Sequence, residues 1–200
     1  LSPGDLLMLS AAVRDIKAAY SHILIDVRTP VGAIWENSPH LTQLNEKDSD
    51  VEVIDAEYPL INVSNNRPYH FIHGYRFHLE EKLGLKIPCG DFRGQVFISE
   101  LEKSWISKLQ EMGIDQNFWI LMSGGKWDYT AKWWNPDEYQ KVVDHFKDKI
   151  LFVQCGESSH YHPELKNVIN LVGQTDGRQF IRLMYHAAGV VCPVTYAMHL

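Results

Sequence analysis

The chain has 200 residues, 45% hydrophobic and 22% charged. That is ordinary for a globular protein, and too apolar for a disordered tail or a fibre. Nineteen Lys+Arg against 25 Asp+Glu leave a net charge of −6, without the basic excess with which general nucleic-acid binders meet phosphates, so no nucleic-acid partner is expected. Cys89, Cys155 and Cys192 are odd in number and widely spaced, without CxxC. That pattern argues against a disulfide framework or a structural zinc site and for a reducing cytoplasm. No stretch approaches the roughly 18 apolar residues of a membrane helix.

In chain order, the spacing of Leu9, Ala12, Val13, Ile16, Ala19 and Tyr20 predicts a helix over 5–20, with Arg14, Asp15 and Lys17 facing away. The run Ile23-Leu24-Ile25-Asp26-Val27 reads as a buried parallel strand. A short helix over 32–36, a strand over 51–55 and a helix over 69–83 follow, the last ended by Gly84. Residues 88–94 read as loop and 96–98 as a strand. Ser99 and Glu102 have capping-box spacing and open a helix that ends near Gly113. From there the pattern alternates: strands at 118–122, 150–154, 168–171 and 189–192, helices at 136–146 and 177–187, and a helix opening at Thr195. Strands alternating with helices imply parallel sheets with right-handed crossovers. The expected organisation is two α/β halves, 1–115 and 116–200, the second incomplete. The opening Leu1-Ser2-Pro3 and the closing Ala197-Met198-His199-Leu200 lead us to expect a piece of a longer polypeptide, a poor catalyst by itself.

Chemistry-bearing residues fall where strands end and helices begin, the usual ligand edge of an open α/β sheet. Gly4 and Asp5 stand at the head of the first helix, Gly4 allowing close approach and Asp5 offering a carboxylate; an acid there is equally an ordinary cap. Ser123-Gly124-Gly125-Lys126 suits a phosphate but lacks the GxxxxGK[ST] of a P-loop. Lys132 follows, and the paired Trp133 and Trp134 are read as packing. Glu157, just past a buried strand, is placed to hold a ribose hydroxyl. Thr175, Thr195 and His199 mark the remaining strand and helix junctions. His160/His162 and His70/His73 have ligand spacing but no persuasive acidic or thiol partner, so no metal site is expected.

In order and spacing these motifs resemble glycosyltransferase family 9, the ADP-heptose:lipopolysaccharide heptosyltransferases. The carriers are Gly4-Asp5-Leu6-Leu7, Arg14-Asp15-Ile16-Lys17, Ile25-Asp26-Val27, Asn37-Ser38-Pro39, Lys132-Trp133-Trp134-Asn135-Pro136, Val168 through Thr175, and Thr195-Tyr196-Ala197-Met198-His199-Leu200. The chain departs from the family at Val194 and Tyr196, where an aspartate and a glycine are usual, and at Gln174, where a lysine is usual. A first strand preceding Leu1 is also expected from the family.

The resemblance implies a GT-B fold, α/β, with two Rossmann-like parallel-sheet domains: an acceptor-side domain and a nucleotide-sugar domain. It implies an inverting transfer of a heptose-like sugar from a nucleotide diphosphate donor, ADP-linked in that family, to a glycan or lipid-linked acceptor at the inner face of the cytoplasmic membrane. Asp5 resembles the family's base and Lys132 the residue that neutralises the leaving diphosphate, with no metal required. Gly4, Ser123, Gly124, Glu157, Thr175, Thr195 and His199 would bind the nucleotide. The alternatives are another GT-B sugar-nucleotide enzyme, such as an epimerase, or a non-catalytic nucleotide-sugar-binding relative.

Overall fold

Pro3 opens the first helix because its missing N–H is one that would have no partner within the helix. Helix α1 therefore spans Pro3–Ala19, with Ser2 as N-cap. The computed structural model describes residues 1–57, 63, 66–67, 69–104, 107–127 and 130–200. These form two compact units, Leu1–Ile98 with His199, and Ser99–Met198 with Leu200.

In the first unit α1 is buried nearly all round from Leu6 to Val13, as expected of a helix apolar on every side. It packs with α2, Phe71–Leu83, which is capped by the side chain of His70 and closed by Gly84 in the left-handed region at φ 63°. Arg14 and Asp15, expected to face water, do not. Asp15 is 4% exposed; it accepts from Arg14 Nε at 2.8 Å and from the Gly90 amide at 3.0 Å. Arg14 also donates to the carbonyls of Asp91 and Arg93. The 88–94 loop is thus stitched to α1 by backbone groups that would otherwise lack partners. Gly94 completes the contact, because a Cβ there would lie 2.4 Å from the Leu7 carbonyl oxygen.

The expected strands at 23–27, 51–55 and 96–98 form no ladder among the described residues. Thr42 donates to the Ile25 carbonyl at 2.8 Å, but 23–27 and 51–57 border a cavity of about 500 Å³, together with Leu6, Leu9, Val13 and Ile16 of α1. A strand exists only when another runs alongside at about 4.8 Å, and no such ladder forms here among the described residues. Residues 32–36 shorten to a 3-10 turn, Gly32–Ile34.

The second unit begins earlier than the expected boundary near 115, because 99–114 packs into it. Helices α3 (Glu100–Ser104) and α4 (Lys108–Glu111) replace the single helix expected there; 105–106 lie outside the described residues. Strands β1 (Phe118–Leu121), β2 (Leu151–Gln154), β3 (Ile169–Asn170) and β4 (Gly189–Val191) form one parallel sheet in the order β3-β2-β1-β4. Helices α5 (Pro136–His145), α6 (Gly177–His186) and α7 (Tyr196–His199) complete the unit. Alternation sorts the side chains. Phe118, Ile120, Val153 and Cys155 join Leu109, Phe180, Leu183 and Ala197 on one face, while Leu121 and Phe152 join Tyr139 and Val143 of α5 on the other. A parallel sheet covered on both faces reads in sequence as continuous apolar runs, as these do.

Candidate functional site

Each strand of the parallel sheet ends at the same edge, so the connections that follow are gathered there. Ser123 follows β1, Glu157 follows β2, Thr175 follows β3 and Thr195 follows β4. Four of the expected nucleotide-binding residues are thereby brought to one edge of one sheet. Gly124 stands in the same connection as Ser123, and Lys132 closes a 3-10 turn, Thr130–Lys132, before α5. Gly4 and Asp5 belong to the first unit, and His199 lies in the last turn of α7.

The β1 edge is held by a residue that periodicity did not single out. Gln154 is 1% exposed; its Nε2 donates to Ser123 Oγ at 2.8 Å and to the Pro163 carbonyl at 2.7 Å. A glutamine ending the apolar run Leu151-Phe152-Val153 was the available signal, since a buried amide demands partners. Beyond Ser123, Gly125 and Tyr161 exchange both backbone hydrogen bonds, at 3.0 and 3.1 Å. The two connections touch so closely that a Cβ on Gly124 would lie 1.8 Å from the Tyr161 carbonyl oxygen. Gly124→Ala is therefore expected to push the connections apart and cost about 1–3 kcal/mol, the usual range for overpacking. An unchanged denaturation midpoint would contradict that close approach.

The β2 connection bends around an imidazole. A Cβ on Gly156 would meet the His162 ring at 2.0 Å. His162 Nε2, in its protonated tautomer, donates to the Glu157 carbonyl at 3.1 Å. Burial holds this imidazole below its ordinary pKa; the Glu157 carbonyl opposes that shift and His160 adds to it. The Glu157 carboxylate itself projects into solvent, 69% exposed, with His160 Nε2 at 3.4 Å and Ser159 Oγ at 3.1 Å. Gly173, at φ 70°, donates to the Gly156 carbonyl at 2.8 Å and ties the β2 and β3 connections together. Thr175 then precedes Asp176, the N-cap of α6, and Thr195 is the N-cap of α7.

In the first unit, Asp5 is not the N-cap but the third helical residue. Its Oδ2 accepts from the Ser2 amide at 2.8 Å and from Ser2 Oγ at 2.7 Å; neither bond uses Oδ1. His70 and His73, weighed as metal ligands, instead flank the Phe92 ring at 4.7 and 5.0 Å between centroids. Among the described residues no group of three or more His, Cys, Asp or Glu is placed to hold a metal ion, and no helix is long and apolar enough to cross a membrane. Burial pushes the Cys155 thiol up to about 12, which makes it an inert part of the core.

No known protein-family profile matches the chain, and no curated protein sequence does. The fold is similar to that of E. coli ADP-heptose LPS heptosyltransferase II, with a TM-score of 0.67 and 18% identity, covering 98% of this chain and 78% of that one. The likeness is one of fold: α/β, with a parallel sheet.

Proposed function

We propose that the chain is a nucleotide-sugar-dependent glycosyltransferase of the family 9 kind, taking an ADP-linked, heptose-like sugar to a glycan or lipid-linked acceptor. The observation that carries this reading is the gathering of Ser123, Glu157, Thr175 and Thr195 at the carboxyl edge of one parallel sheet. That is where open α/β sheets bind nucleotides. The fold likeness to a heptosyltransferase supports it.

In this reading the acceptor hydroxyl oxygen attacks the anomeric carbon as the bond from that carbon to the diphosphate oxygen breaks, inverting the centre. Asp5 takes the hydroxyl proton, and the diphosphate leaves with the bonding electron pair. Lys132 meets the charge that grows on the leaving group, an interaction stronger in the transition state than in the ground state. Ser123, the Gly124 backbone, Thr195 and His199 hold phosphates, Gly4 keeps the backbone close to the ligand, Glu157 receives ribose hydroxyls, and Thr175 contacts the nucleotide. The enzyme works at the cytoplasmic face of the membrane that carries its acceptor.

The test is binding followed by product analysis. The chain is titrated with ADP, then incubated with a panel of nucleotide sugars and glycan acceptors, and the product linkage is assigned by NMR. An inverted glycoside with release of nucleoside diphosphate is expected. Epimerised sugar nucleotide without transfer, or ADP binding with no turnover, would replace the reading with an epimerase or a binding protein.

A further inference from the structure

Three aromatic side chains stand together on the connections that leave β1 and β2. Trp133 and Tyr161 are stacked, with centroids 4.7 Å apart and planes 25° apart. Trp127 closes on both, 5.6 Å from Trp133 and 5.2 Å from Tyr161. The Gly125–Tyr161 backbone bridge locks the two connections that carry them. Gly125 leaves room for the Trp133 indole, since a Cβ there would lie 3.1 Å from Nε1. That Nε1 is buried and has no partner among the described residues. Trp133 and Tyr161 are spent on one another, whereas Trp127 remains 64% exposed. Leaving so large an apolar ring in water forgoes burial that aromatic side chains normally contribute, and here a rigid backing holds it at the ligand edge of the sheet.

We propose that Trp127, backed by Trp133 and Tyr161, is the platform on which a pyranose ring rests, and that this ring is the sugar of the donor; the inference rests on the glycosyltransferase reading above. The C–H face of a pyranose carries partial positive charge and complements the negative face of an indole. Its hydroxyls stay in water or reach polar neighbours, of which the exposed Lys126 is adjacent in the chain. An open one-sided surface leaves the hydroxyls at the rim of a pyranose in water. The openness of Trp127 therefore selects a ring that must remain partly solvated.

The experiment uses the full chain, its Trp127→Ala and Trp127→Phe variants, and three probes: ADP, ADP-glucose and methyl β-glucopyranoside. Dissociation constants come from calorimetry. The Trp127 indole N–H resonance, assigned by its loss in Trp127→Phe, reports contact directly. Burying about 55 Å² of sugar C–H surface on the ring is worth about tenfold in affinity. ADP-glucose should then bind the parent and Trp127→Phe about tenfold more tightly than ADP does, and Trp127→Ala should lose that margin while ADP affinity stays constant. The indole resonance should move with ADP-glucose and with the glucoside, and not with ADP. Equal losses for ADP and ADP-glucose in Trp127→Ala would assign the platform to the base and overturn the proposal, as would an unchanged margin. If ADP fails to bind at all, the nucleotide reading falls and the glucoside titration alone decides. A Trp127 resonance unmoved by the glucoside at high millimolar concentration would then overturn the platform.

Discussion

Asp5→Asn is expected to slow sugar transfer by about 10²–10⁴-fold at saturating donor and acceptor, with KM changed far less. The hydrogen-bond geometry makes the substitution a clean one. Oδ2 of Asp5 receives both bonds from Ser2, and an asparagine oxygen can accept them equally. The helix start is therefore retained, and the melting temperature should fall by no more than a few degrees. What disappears is the proton acceptor, together with a negative charge in the first turn of α1, where the helix dipole stabilises anions by about 0.3–1 kcal/mol. Its effect as a base depends on being held against the hydroxyl. Transfer within about threefold of the parent would leave Asp5 as a structural residue.

The largest stability effect is expected in the second unit, at Arg178. Its guanidinium grips Glu102 through two parallel contacts, Nε to Oε1 and Nη2 to Oε2, the latter at 2.7 Å. The side chains are 11% and 5% exposed. Glu102 also accepts from the Ser99 amide and hydroxyl at 2.8 and 2.9 Å. Arg178 stands in the first turn of α6, where a cation opposes the helix dipole, and the carboxylate offsets that conflict. Arg178→Ala strands a buried carboxylate and should cost about 3–5 kcal/mol, read as a lower denaturation midpoint. The Arg178 guanidinium, followed by the Ser99 bonds, holds the Glu102 carboxyl at about 2, below its usual 4.5, against the opposing effect of burial. Because the folded pKa is the lower one, the pair stabilises fully above about 4.5 and loses its contribution as pH falls toward 2. Arg178→Ala should flatten the stability profile across that window. A variant whose acid profile matches the parent's would rule out this ion pair as the cause.

The second unit was largely legible because its parallel strands are covered on both faces, so their apolar runs carry the signal without needing alternation. The expected 150–154 strand is β2 to within one residue, and helix 136–146 is α5 to within one. The same signal misled at 23–27, where a similar run forms no ladder among the described residues. Apolarity announces burial but not a partner. Asp15 was read as solvent-facing from its helical phase, whereas its partner is a backbone amide 75 residues away at Gly90. Glu102 was legible as half of a capping box with Ser99, but nothing local foretells Arg178. At the candidate site, the placement of the residues just past each strand was legible because strand ends are local features. Gln154 and the ring contacts of Tyr161 were not, because they arise only where two connections meet.

The strand order β3-β2-β1-β4 also bears on how the second unit assembles. Val153 pairs with Ile169, a separation of 169 − 153 = 16 residues, while Trp119 pairs with Gly189, a separation of 189 − 119 = 70. Closing the longer loop in a flexible chain costs about 1.3 kcal/mol more entropy, since the cost grows as the logarithm of length. The β2–β3 pairing is thus favoured to nucleate the sheet, and the β1–β4 edge meets the larger entropic barrier. Gly189 suits that edge: a Cβ there would lie 2.8 Å from the Trp119 ring, so glycine lets β4 lie close against the indole.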